Sequence, residues 1–178
     1  MNQSLFRGFL CAILLYIPMD YAVSQDANQT HPWWVNLGAG PALIGKTFAM
    51  NGGMVYCRQF DHSLISARIL GMTNNNPTVQ RIERSSPVYK MADYGVLYGP
   101  VWQTDVGTVT AGAGIGLVRA AYEMPASITT NSSISIPIEI QWFWRFTNYA
   151  GLCIYTYTSL NFEKPLSGVL ICAQLGVW

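Results

Sequence analysis

The stretch 133–146 reads SISIPIEIQWFWRF. Ile134, Ile136, Ile138, Ile140, Trp142, Trp144 and Phe146 fall on one parity, and Ser135, Pro137, Glu139, Gln141, Phe143 and Arg145 on the other. Successive side chains of a β-strand point to opposite faces, so this alternation predicts a strand with one apolar and one mostly polar face. The run exceeds the roughly 9–11 residues that a tilted strand needs to cross a bilayer. Trp142, Trp144 and Phe146 gather at one end of the apolar face, where an aromatic girdle would lie.

The run 107–122, GTVTAGAGIGLVRAAY, has the same form. Val109, Ala111, Ala113, Ile115 and Leu117 share one face, and Thr108, Thr110, Gly112, Gly114 and Gly116 the other. Repeated glycine on one face leaves space inside a narrow, strongly curved sheet. AGAGIGLV holds a Gly-x-Gly-x-Gly pattern but not the spaced GxGxxG of a dinucleotide loop, and the alternation runs straight through it, so it reads as lumen lining. Weaker alternation predicts six further strands, over 34–44, 48–60, 64–72, 91–104, 150–161 and 167–178. Eight strands suffice to close a small barrel whose interior is filled by side chains. Pro41, Pro100 and Pro137 lie inside these runs and are expected at rims or bulges, because proline cannot donate to the ladder. Trp178, the last residue, falls on the opposite parity to Val177, Leu175 and Ile171.

Composition says what surrounds those strands. Only 11% of residues are charged, against roughly 25% in ordinary soluble domains. That is too little charge to coat a solvated surface, which favours lipid around the barrel. The net charge of +1 with no basic cluster argues against a nucleic-acid partner. At the N-terminus, Arg7, the apolar run 8–18 and the small residues Ala22-Val23-Ser24 form a secretion signal, with cleavage before Gln25. Cys11 lies inside the apolar core of the signal and does not suit a lipoprotein. The expected organisation is therefore a signal peptide over 1–24, a flexible lead-in over 25–33 and a barrel over 34–178. No run after the signal is long enough for a transmembrane helix, so a membrane-spanning chain must cross as strands. Hydrocarbon cannot satisfy an open sheet edge, so the strands must close. The predicted fold class is all-β: a closed antiparallel up-and-down transmembrane barrel of about eight strands.

The connections sort by length. Those at 61–63, 105–107 and 147–149 are tight, and they are every second one. Among the others, 73–90 and 123–132 are long and polar, while those near 45–47 and 163–165 are short. Outer-membrane barrels have short periplasmic turns and longer outer loops. With both termini periplasmic, the two long connections fall outside.

The stretches DYGVLYGP at 93–100, AGAGIGLV at 111–118, IPIEIQWF at 136–143 and GVLICAQLGVW at 168–178 resemble small eight-stranded outer-membrane β-barrels, especially those of Bacteroidota-type bacteria. The resemblance spans roughly 34–178. It implies insertion by the outer-membrane assembly machinery and residence in outer-membrane lipid, and it carries over no catalytic residue.

Few residues invite chemistry. Asp61-His62-Ser63 looks like a triad in a row, but neighbouring strand residues point apart and a triad is assembled in space, so turn chemistry is the better reading. His31 lies in the lead-in. Arg58, Arg68, Asp93, Glu139 and Arg145 are charges inside strands, and Glu139 and Arg145 are assigned inward because the opposite face is so apolar. Arg68, Asp93, Glu139 and Arg145 are expected to form an ion-pair network plugging the lumen, the alternative being an ion path or ligand site. Val109, Ile115, Leu117, Ile136, Ile138, Ile140, Trp142 and Trp144 are expected to face lipid. Cys57, Cys153 and Cys172 remain after the signal; Cys153 and Cys172 fall on the two arms of the last hairpin and could be neighbours, but small apolar filler is the preferred reading of all three. No CxxC or Cys/His cluster suggests a metal, and no cofactor or catalytic site is expected. The leading reading is a structural, anchoring or surface-interaction barrel. A lipid-modifying enzyme of acyltransferase or deacylase type would need a His, Ser or Asp group at the outer rim. A soluble periplasmic barrel carrying a small apolar ligand would need its apolar face inward.

Overall fold

A computed structural model of the 178-residue chain describes residues 32–74, 88–104, 107–124, 127–162 and 164–177. The predicted signal peptide, the lead-in through His31, most of the 73–90 connection and Trp178 lie outside the described residues. The described chain forms eight strands: β1 (Trp33–Ile44), β2 (Thr47–Phe60), β3 (Ser63–Thr73), β4 (Val88–Thr104), β5 (Gly107–Met124), β6 (Ser127–Arg145), β7 (Ala150–Asn161) and β8 (Leu166–Val177). Each pairs antiparallel with its neighbours in sequence, and β8 closes on β1.

The register fixes the shape of the barrel. Trp33 faces Arg58, and the walk across the ladders continues through Ile65, Tyr98, Ala113, Ile138, Thr158 and Ser167 back to Leu43. One circuit thus ends ten positions along β1 from its start. With a rise of 3.3 Å per residue and strands 4.8 Å apart, that stagger tilts the strands by about 40° from the barrel axis. The strand ends at the rim carrying the first and last strands' outer ends, the terminal rim, lie at nearly one level.

The far rim is uneven. β5 and β6 contain 18 and 19 residues, whereas β1, β7 and β8 contain 12. β7 ends at Asn161, opposite Ser135, so the part of β6 over 127–134 pairs with β5 beyond the end of β7. At the derived tilt β6 rises roughly 15 Å above the end of β7, while on the other side β4 follows β5 nearly to its tip, with Val88 opposite Glu123. This corrects the expected loop over 123–132, since strand pairing runs through to Met124 and Ser127. The polar residues Thr129, Thr130, Asn131 and Ser132 of β6 are exposed on both parities, although Ala120 and Tyr122 opposite them on β5 still pack on the core. The period-2 contrast disappears there although the ladder continues.

The prolines sit without bulges, and Pro100 lies at the terminal rim opposite Ser63, the first residue of β3. The β1–β8 ladder omits Gly40 and Pro41, then resumes at Ala42 in the same register. The β4–β5 ladder passes from Tyr98↔Ala113 to Val101↔Thr110, omitting Gly99 and Pro100. The β5–β6 ladder passes from Ala113↔Ile138 to Gly116↔Ser135, omitting Pro137. A bulge would shift each register by one residue, and none shifts. Each proline instead costs rungs on one side while the other side stays paired, as in Pro41↔Met50 and Pro137↔Ser159.

Candidate functional site: a buried polar lumen within an apolar wall

Inward side chains form tiers set by their height on the strands. Trp34, Leu64, Val101 and Phe143 pack at the terminal end, with the Trp34 and Phe143 ring centroids 5.1 Å apart. Ile44, Met72, Met91, Val118 and Leu166 pack at the far end, all nearly inaccessible to solvent. Between these apolar tiers lies a polar one.

Glu139 on β6 is the hub of the polar tier. Its Oε1 accepts from Ser66 Oγ at 2.5 Å and from Gln141 Nε2 at 2.9 Å, and its Oε2 accepts from Tyr155 OH at 2.6 Å. Arg68 on β3 donates from Nη1 to Tyr155 OH at 3.2 Å and from Nη2 to Asp93 Oδ2 at 2.6 Å. Its Nη1 also lies 3.9 Å from Glu139 Oε2. The network continues toward the terminal end, where Asn36 Nδ2 donates to Gln141 Oε1 at 2.9 Å and Cys57 Sγ lies within hydrogen-bond reach of the same amide. Toward the far end the Arg68 guanidinium sits 5.3 Å from the Tyr157 ring centroid, and Asn51 Nδ2 donates to Tyr157 OH.

Burial explains why the hub takes so many bonds. Arg68, Asp93 and Glu139 are exposed by 2% or less. A buried charge is tolerated only when paired and hydrogen-bonded: Asp93 and Glu139 pair with Arg68, and Tyr155 hydrogen-bonds both Arg68 and Glu139. Glycine makes the room. A Cβ on Gly112 would meet Glu139 Cγ at 3.4 Å, and one on Gly168 would meet Tyr157 OH at 2.7 Å. The large polar side chains of β3, β6 and β7 therefore lie against parts of the wall that carry no side chain.

Of the four charges singled out in the sequence, the structure brings together Arg68, Asp93 and Glu139. Arg145 stands apart. It is the last residue of β6 and is exposed at the terminal rim, below Phe143, where water solvates it more cheaply than the lumen could. Sequence reading missed Tyr155, Ser66, Gln141 and Asn36. Their only signal was inward parity on strands, and β7 has too little hydropathy contrast for parity to stand out.

The outer wall has the opposite character. Ile115 is 76% exposed, Ile171 65% and Ile136 56%, and Leu117, Ile138, Ile140 and Trp142 also point outward. Val109 and Trp144 are partly exposed on the same face. Near the terminal rim lie Trp33, Phe60, Trp102, Trp142, Trp144 and Tyr149, with the Trp142 and Trp144 ring centroids 4.6 Å apart and the planes tilted by 40°. Asp61 and His62 form the exposed β2–β3 turn, with Asp61 at a positive φ of 51°, and the Ser63 hydroxyl accepts from Tyr98 OH at 2.8 Å. Cys153 and Cys172 are direct cross-strand partners, both buried. Among the described residues no group of His, Cys, Asp and Glu is placed to hold a metal, and no helix is long and apolar enough to cross a membrane.

Comparison with solved structures places this architecture. The chain is similar to Neisserial surface protein A (NspA), at TM-score 0.64 and 14% identity over 82% of this chain and 96% of that one. It is similar to Ail, the attachment invasion locus protein of Yersinia pestis, at TM-score 0.61 and 9% identity over 83% and 99%. The N-terminal β-barrel domain of Pseudomonas aeruginosa OprF matches at TM-score 0.56 and 10% identity over 83% and 98%. No family model and no curated protein sequence matches the chain. At these identities the likeness is one of fold: the closed eight-stranded antiparallel barrel of small outer-membrane proteins.

Proposed function

We propose that the chain is an outer-membrane barrel with a structural, anchoring or surface-interaction role and no catalysis. The observation that carries this reading is the inversion of polarity between wall and lumen. Ile115 is 76% exposed while Glu139 is 2% exposed. A soluble barrel coats its outside with charge, whereas this chain turns large apolar side chains outward and keeps its ion-paired charges inside, between two apolar tiers. Val109, Ile115, Leu117, Ile136, Ile138, Ile140, Trp142 and Trp144 would meet outer-membrane lipid, with the aromatics of the terminal rim at the interface. The signal over 1–24 would direct export, the lead-in over 25–33 would precede the barrel, and the assembly machinery would insert it. Kinship with barrels of Bacteroidota-type bacteria is part of this reading and rests on the strand stretches quoted above.

The lumen suits an anchor rather than a conduit. Its charges are spent on one another between two apolar tiers, and Arg68, Asp93 and Glu139 act as an internal plug. Interaction with the surroundings then falls to the far rim, where the β5–β6 hairpin stands above the wall. The polarity of the wall counts against a soluble ligand carrier. The exposed turn position of His62 and the engagement of Ser63 with Tyr98 count against a lipid-modifying site there.

The deciding experiment is fractionation. The protein is expected to sediment with outer membranes and to migrate differently on a gel before and after boiling. Recovery as a soluble monomer without detergent would overturn the reading.

A further inference from the structure

We propose that Cys153 and Cys172 form a disulfide that staples β7 to β8 inside the barrel, leaving Cys57 as the odd thiol. Cys153 and Cys172 are direct register partners on adjacent antiparallel strands. Opposed residues in such a pair have Cα atoms roughly 4.5–5.5 Å apart, within the roughly 4.4–6.8 Å that a disulfide spans. Both side chains point into the lumen, at 0% and 1% exposure, and the two thiols are in mutual contact. Gly38, beside them on β1, keeps that volume clear, since a Cβ there would lie 2.4 Å from Cys172 Sγ.

The third cysteine is placed differently. Cys57 Sγ donates to Gln141 Oε1 at 3.7 Å and accepts from Gln141 Nε2 at 3.5 Å, so the polar tier already occupies it. Its register partners are Trp34 and Ser66, not a cysteine. The three cysteines of the barrel thus resolve into one pair and one hydrogen-bonded thiol.

The reaction is thiol–disulfide exchange. One thiolate of the pair attacks a disulfide of an oxidant, either an oxidase-type protein or oxidised glutathione, and forms a mixed disulfide. The second thiolate then attacks the protein sulfur of that bond. The Cys153–Cys172 S–S bond forms, and the two protons lost by the cysteine thiols end on the sulfurs of the oxidant, which departs as two thiols. Neither sulfur is accessible once the lumen is filled, so exchange must precede closure. The β7–β8 hairpin brings the two together without waiting for the rest of the barrel. Formation in the cell rests on the envelope location proposed above, because disulfides persist in oxidising compartments.

Peptide mapping tests the staple. The denatured chain is refolded into detergent micelles with a reduced and oxidised glutathione couple, then unfolded in detergent with iodoacetamide and no reductant, and digested. The peptides bearing Cys153 and Cys172 are expected linked, 2 Da lighter than the sum of the two thiol peptides, with Cys57 alkylated. Cys153→Ser is expected to leave Cys172 alkylated, and a heat-modifiable band confirms that this variant still folds. Alkylated Cys153 and Cys172 in heat-modifiable parent protein, or linkage of either to Cys57, would overturn the proposal. Protein isolated from cells is mapped alongside. A reduced pair there, with an oxidised pair on refolding, would overturn the envelope location and leave the staple geometry standing.

Discussion

Within β6, residues 135–143 and residues 127–134 share one backbone and one neighbour, β5. They differ in what lies on either side. Along 135–143 burial alternates without a break, from buried Ser135 and exposed Ile136 to buried Glu139 and exposed Ile140. Along 127–134 the sequence is SITTNSSI, and Thr129, Thr130, Asn131 and Ser132 are all exposed. The lower segment separates a filled lumen from an apolar exterior, so each parity faces a different requirement. The upper segment stands past the end of β7, so both parities meet similar surroundings. A period of 2 in sequence therefore records a difference between two environments rather than the strand itself. Strand without that difference is written in propensity and pairing alone.

The lower segment can be broken from either face. The largest effect is expected from the inside. Arg68→Met removes the only cation paired with Asp93 and Glu139 among the described inward residues, leaving two buried carboxylates. Removing one partner of a buried pair typically costs about 3–5 kcal/mol. Denaturant titration of the variant in lipid vesicles is expected to register a loss of that size. A variant as stable as the parent would mean that water or another group already compensates the carboxylates. From the outside, Ile138→Arg puts a charge on the wall and is expected to cost about 2–4 kcal/mol if the site lies near the bilayer midplane. The same titration measures it, and a neutral result would mean that the wall at Ile138 does not meet hydrocarbon.

The extent to which sequence revealed the molecule follows that division. The strands with strong contrast, β5 and β6, were legible to their faces, and the prediction of eight strands and closure matches the structure. Legibility failed where contrast fell. The top of the β5–β6 hairpin carries no alternation in sequence, and β7, AGLCIYTYTSLN, mixes apolar and polar groups on both parities, so nothing in it singles out Tyr155. The charges illustrate a second limit. Parity places Arg145 with Glu139, but parity carries no height, and height decides whether a side chain meets the lumen or the water at the rim. Height depends on the stagger of the barrel, which emerges only when every ladder is known. The prolines mark a third limit, because a missing rung and a bulge leave the same trace in sequence.

The smallest expected effect tests the upper segment against the lower. Thr130 pairs with Ala121 above the end of β7 and is exposed. If the hairpin stands clear of the bilayer, Thr130→Arg adds a charge that water solvates, and surface changes of that kind usually fall within about 0.5 kcal/mol. Ile138→Arg is the same kind of insertion on the same strand, eight positions further along. The two variants titrated side by side in vesicles therefore report the level at which hydrocarbon gives way to water. A cost for Thr130→Arg close to that of Ile138→Arg would place the hairpin within the membrane. The polar run 127–134 would then be a buried lipid contact, and the hairpin could no longer be the element that meets the surroundings. A cost near zero for Thr130→Arg beside a large one for Ile138→Arg would place that boundary between the two positions and leave the hairpin above it.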